Sequence, residues 1–247
     1  IRPLLSSLFN GLEDESSEYL DQTIKLIETL QENLGDDSLF WQTCFLVIST
    51  YSDRRAGGLV WLTRKFPSLN AIPHKIAERN KIKVNSTGGS TNSMQDRKKV
   101  KEDALATLLP SAKNLVTPEP GLLIRCLVSC LEPENDILIK RGILDLLLQR
   151  VRIDSPVIQV LISPEDKKLL IMSCCKTTLN KDMSLNRRVW NWCLGFSSST
   201  TRSSNGSTTS VNSGASDKGD NSQDKSNEYF RTNGLLCLKQ GIEDLLY

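Results

Sequence analysis

Arg187-Arg188-Val189-Trp190-Asn191-Trp192-Cys193-Leu194 opens on a basic doublet and runs directly into a dense apolar stretch. Two other segments do the same, Lys140-Arg141-Gly142-Ile143-Leu144-Asp145-Leu146-Leu147-Leu148 and Arg54-Arg55-Ala56-Gly57-Gly58-Leu59-Val60-Trp61-Leu62. Arg141 and Arg188 lie 47 residues apart. Arg55 and Arg141 lie 86 apart, but a polar stretch of roughly 40 residues intervenes, which leaves a similar structural spacing. A helical period near 40–47 residues is the signature of an armadillo- or HEAT-type solenoid. The expected fold is therefore all-α: an armadillo/HEAT-like helical solenoid forming a single helical-repeat domain over residues 1–247, with two disordered polar inserts.

Working outward, residues 16–34 place Leu20, Ile24, Ile27, Leu30 and Leu34 on one stripe, with Glu18 and Asp21 at the start and Gly35 as the stop. Residues 37–50 read as a nearly all-apolar inner helix, and Asp53 is placed to cap the helix that ends before Pro67. Residues 73–117 form a mostly flexible basic insert, within which Val100, Ala104, Leu105, Leu108 and Leu109 suggest one short helix stopped by Pro110. Helices resume at Gly121–Leu131 and Asn135–Val151. A third begins at the cap Ser163-Pro164-Glu165-Asp166 and runs to about Leu179, and a fourth covers 182–195. Residues 197–227 hold 11 serines and no Leu, Ile, Phe, Trp or Tyr, the composition of a disordered insert. A final amphipathic helix is expected over Glu228–Leu246. No period-two alternation argues for strands. All four tryptophans fall in expected helices and are expected to anchor packing, each costing about 3–5 kcal/mol on truncation to alanine.

The net charge of +2 in 247 residues argues against a dedicated nucleic-acid binder. The charge is uneven: residues 1–40 carry two basic and nine acidic side chains, whereas residues 54–101 carry twelve basic and two acidic ones. Seven cysteines, an odd number scattered through apolar runs, do not read as a disulfide framework and suggest a reducing compartment. No apolar run approaches a membrane span. The chain lacks an initiator Met and opens inside an apolar segment, as a piece of a larger protein would.

Catalytic chemistry finds little to work with. His74 is the only histidine, so no two-His zinc site or His-based triad can be assembled. Cys126 and Cys130 share a helix face but lack a Cys-x-x-Cys pattern, and buried inert thiols are the expected reading. Gly214 and Gly219 have P-loop spacing, yet Asp220 stands where lysine is required. No cofactor is expected.

Two basic constellations are candidate binding residues. The doublets Arg54, Arg55, Lys140, Arg141, Arg187 and Arg188 either pair with acids on neighbouring helices, such as Asp145 or Glu134, or line a groove that receives a protein partner. The insert residues Lys75, Arg79, Lys81, Lys83, Arg97, Lys98, Lys99 and Lys101 either keep a linker solvated or attract anionic phospholipid, at about 1 kcal/mol per cation near the surface.

Asp182-Met183-Ser184-Leu185-Asn186-Arg187-Arg188-Val189-Trp190-Asn191-Trp192, read with Ser163–Asp166, resembles the N-terminal domain of the Dopey family. Phe40-Trp41-Gln42, Ser52-Asp53-Arg54-Arg55-Ala56-Gly57, Pro120–Arg125, Arg141–Leu147 and Tyr229-Phe230-Arg231 fit in the same order. The two inserts depart from the family pattern, and the family domain begins upstream of Ile1. The resemblance implies a non-enzymatic scaffold for membrane trafficking, peripheral on the cytosolic face of Golgi and endosome membranes. It implies as partners a MON-two-like, Arf-exchange-factor-related scaffold and a phospholipid-flipping P-type ATPase. In animals it adds kinesin-driven transport through kinesin light chain. The family offers no catalytic residues to carry over. The function expected is binding of protein partners through the solenoid surface, the alternative being a peripheral module that reads anionic lipid through the basic insert.

Overall fold

The computed structural model describes residues 1–72, 94–195, 228–235, 238–239 and 242–243, and among them every regular element is helical. Helix α1 spans Arg2–Asn10 and α2 Leu20–Leu34, whose stripe Leu20, Ile24 and Ile27 is buried and whose end is set by Gly35 in the left-handed region at φ 67°. Helix α3 spans Asp37–Thr50, and α4 spans Arg55–Lys65. Then follow α5 (Met94–Ala106), α6 (Pro110–Val116), α7 (Pro120–Leu131) and α8 (Ile137–Arg150). A π-helical turn, Val157–Leu161, leads into α9 (Pro164–Thr178) and α10 (Met183–Leu194). A second π-helical turn occupies Phe230–Gly234, inside the helix expected over 228–246.

Consecutive helices pack as pairs, α3 on α4, α7 on α8 and α9 on α10. The pairs then lie side by side, so α3, α7 and α9 form one row and α4, α8 and α10 a second. Helix α1 closes the first pair by touching both α3 and α4. That approach is possible because Gly57 has no side chain, since a Cβ there would sit 1.8 Å from the Phe9 carbonyl oxygen. One apolar core runs between the rows. At its first-pair end five aromatic rings interlock: Trp41 lies 6.0 Å from both Phe45 and Phe66, and Phe40 lies 6.0 Å from Trp61.

Of the two caps expected from the sequence, Asp53 and Ser163, only Ser163 acts as one. Asp36, Ser163 and Asp182 each accept a hydrogen bond from the backbone three residues on, at Leu39, Asp166 and Leu185. Asp53 does not cap. It sits in a 3-10 turn, Ser52–Arg54, paired with Arg54 at 3.4 Å, and the first residue before α4 makes no side-chain cap.

The stretch 73–117 also differs from expectation in its described half. Residues 94–106 and 110–116 are helices, with Ala104, Leu108, Ala112, Leu115 and Val116 buried; α5 lies on the Val157–Leu161 turn and α6 on α3 and α7. Pro110 opens α6 rather than stopping a helix, because the first turn needs no N–H from it. The short helix expected around Ala104 and Leu105 is present but ends at Ala106, while Ala112, Leu115 and Val116, outside the expected stripe, are buried on α6. Residues 73–93 of the insert expected over 73–117, and all of the insert expected over 197–227, lie outside the described residues.

Candidate protein-interaction surface

The basic doublets are mostly turned inward. Arg55 is buried, and its guanidinium donates to the Ile48 carbonyl, to Asn135 Oδ1 at 2.6 Å and to Glu132 Oε2 at 3.4 Å. Asn135 in turn donates to the Ser129 carbonyl at 2.8 Å, so α4 is tied to the bend between α7 and α8. Lys140 is buried as well, its Nζ donating to the Pro133 carbonyl at 2.8 Å. Arg141 reaches Asp182 Oδ2 at 3.2 Å, gripping the cap of α10 from α8. Arg188 returns the link, donating from Nε to Asp145 Oδ1 at 2.8 Å. Arg54 holds Asn10 Oδ1 at 2.6 Å and Glu13 at 3.5 Å.

The second residue of every doublet therefore binds an acid on the neighbouring pair: Arg55 on Glu132, Arg141 on Asp182, Arg188 on Asp145. Arg55 is the one buried charge in these three pairs, and a buried charge persists only when it is satisfied in this way. Burial, and then the hydrogen bond to Glu134, raise the Glu132 carboxyl more than Arg55 lowers it. The rung fixes position more than it stabilises. Asp182 is the opposite case, held below the ordinary carboxyl range by the backbone N–H of Leu185 and by Arg141. Of the six doublet residues only Arg187 is exposed with no partner among the described residues.

The basic insert is described only in part. Lys98, Lys99 and Lys101 are exposed on α5, while Lys75, Arg79, Lys81 and Lys83, together with His74, lie outside the described residues, as does the side chain of Arg97. Among the described residues six cysteines are buried and none forms a disulfide. Hydrogen bonding to Cys130, then burial, push the Cys126 thiol well above its ordinary range, and burial does the same for Cys44 and Cys174. Among the described residues no cluster of three or more His, Cys, Asp or Glu is placed to hold a metal ion, and no helix is long and apolar enough to cross a membrane.

Sequence reasoning missed an exposed apolar face on the last pair. Trp190 is 48% exposed, Leu179 72% and Met183 81%. With Val189, Leu238 and Ile242, Leu179 and Trp190 line a cleft of about 380 Å³. The signal was present in α10. Leu185, Val189, Trp192 and Cys193 are its buried stripe, and Trp190 stands one residue off it.

The fold and its rungs define a class: an all-helical protein whose helices pair and whose pairs are laid side by side in two rows. The chain belongs to the Dopey family, since the family described as "Dopey, N-terminal" matches residues 1–198. It is similar to "Protein DOP1" of Saccharomyces cerevisiae, 61% identical over all of this chain and 14% of that protein. It is also similar to "Protein dop1" of Emericella nidulans, 31% identical over all of this chain and 13% of that protein. The chain thus spans about one seventh of the length of the curated relatives it matches. No solved structure matches it.

Proposed function

We propose that this chain is a length of armadillo- or HEAT-like solenoid that serves as a non-enzymatic protein-binding scaffold in membrane trafficking. The observation that carries the reading is the recurring rung. Arg55 opens α4, Arg141 stands in the second turn of α8 and Arg188 midway along α10, which begins at Met183 rather than at the doublet. Each is bonded to a neighbouring pair, as in successive repeats of a quasi-one-dimensional stack. Such a stack presents long, continuous surfaces for partners, and the exposed Trp190 face is one of them. Membership of the Dopey family supports a place on the cytosolic face of Golgi and endosome membranes. It also supports, as partners, a MON-two-like scaffold, a phospholipid-flipping P-type ATPase and kinesin light chain.

Deleting residues 1–247 from the tagged full-length protein tests this reading. Loss of co-purification with at least one of those partners, with loss of Golgi or endosome fluorescence, is the expected result. Unchanged co-purification and localisation would overturn it.

A second reading, contact with anionic phospholipid, is favoured by the exposed row Lys98, Lys99 and Lys101 on α5. Substituting all three by glutamate is expected to abolish flotation on phosphatidylserine vesicles, and flotation of the wild type should weaken as salt is added. Equal flotation of both forms would discard the lipid role for α5.

A further inference from the structure

We infer that the groove between α4 and α8 is the docking site for a basic amphipathic helix of a partner protein. This inference rests on the scaffold reading and names the chemistry of one partner. The groove has a volume of about 400 Å³. Its floor is apolar: Leu59 and Val60 come from α4, Leu138 and Ile139 from the first turn of α8. Leu138 is 66% exposed. Gly142 allows the closure of the floor, because a Cβ there would meet Leu59 at 2.5 Å.

One wall is acidic. Glu13 and Glu15 line the groove, at the start of a run that also holds Asp14, Glu18 and Asp21. Two cations answer them in part, Arg54 at 3.5 Å from Glu13 and Arg64, itself on the groove, at 3.7 Å from Asp21. Asp14, Glu15 and Glu18 make no ion pair among the described residues and are exposed. An apolar floor beside uncompensated negative charge selects an apolar stripe flanked by lysine or arginine. The shape selects a helix. The trough lies along α4, whose 11 residues run about 16 Å at 1.5 Å per residue, so a three-turn helix laid there presents side chains at i, i+3, i+4 and i+7 to the floor. The sign of this surface is opposite to that of a cationic groove built from the doublets, which the structure ties up internally.

Fluorescence anisotropy with the intact chain tests the inference. The probes are two labelled 18-residue helical peptides with the same leucine stripe, one with lysine on its polar face and one with glutamate. The lysine peptide is expected to bind, and Leu138→Glu to weaken it at least about tenfold, as removal of a central apolar anchor does. Glu15→Lys is expected to weaken it about threefold or more, with the difference shrinking as salt is raised. Glu165→Lys, an exposed acid on α9, is expected to leave affinity unchanged. Leu138 and Glu15 are both exposed, and circular dichroism checks that each variant folds.

Equal affinity in wild type and both groove variants would overturn the inference, as would equal binding of the two peptides. Binding that appears only when residues 75–93 are deleted would give the groove to the chain's own basic stretch. A dimer that Leu138→Glu dissolves would give it to a second copy, and either result overturns the assignment to a partner. Failure here with the deletion result above intact would remove the groove and leave the scaffold.

Discussion

Trp61 and Trp190 carry the same side chain into opposite circumstances. Trp61 is fully buried among Phe40 and Trp41, whereas Trp190 is half in solvent. Trp61→Ala is expected to lose about 3–5 kcal/mol in urea denaturation, and Trp190→Ala less than about 1 kcal/mol. Trp192 differs again: its indole N–H donates to the Val151 carbonyl at 2.9 Å, while that of Trp61 finds no acceptor among the described residues. Trp192→Phe should therefore cost about 1 kcal/mol more than Trp61→Phe in the same measurement. The doublets separate in the same manner. Arg188→Glu sets two acids against each other at Asp145 and is expected to lower the urea midpoint, while Arg187→Glu leaves it unchanged. Sequence made the doublets visible because their spacing repeats. It could not tell Arg187 from Arg188, since which of two adjacent helical residues faces a neighbour depends on where that neighbour sits.

Ser163 is legible as a helix start because its cap acts within three residues of itself. Asp36 and Asp182, not among the expected caps, act in the same local way, and Asp53, expected to cap, does not. Asp182 also allows a test by pH. Its folded carboxyl lies below the ordinary 3.8, so the stability it adds through its charge is present above that value and is lost as pH falls through the lower, folded one. Asp182→Asn keeps the cap acceptor and removes the charge. The gap in urea midpoint between wild type and this variant should be open at pH 7 and close progressively below pH 3.8. Helices α5 and α6 were less legible, because a handful of apolar side chains in polar surroundings gains meaning only once α3, α7 and the Val157–Leu161 turn stand beside them.

Across the whole molecule, the order of the pairs could be read along the chain, but the rows could not, since they arise between residues far apart in sequence. That arrangement sets how damage spreads. Leu127 is buried in α7, the middle helix of its row, and Leu5 is buried in α1 at the end of the stack. Leu127→Ala is expected to cost about 2–5 kcal/mol and to raise amide exchange in α3 and α9 alike. Leu5→Ala should raise exchange in α1 while α9 and α10 keep their protection. The junction ahead of residue 73 has a consequence of another kind. Leu69 N–H donates to the Arg150 carbonyl at 2.7 Å, and Ile72 N–H donates to the Thr107 carbonyl at 3.1 Å, so the polypeptide departs and returns through one pinned gate. The first of these bonds ties the end of the α3–α4 pair to the end of the α7–α8 pair ahead of residue 73, independently of the length of chain between residues 72 and 94. That makes this gate the natural place for a lineage to lengthen or shorten its chain, and for an experimenter to insert a fluorophore-bearing tag, without disturbing the stack on either side.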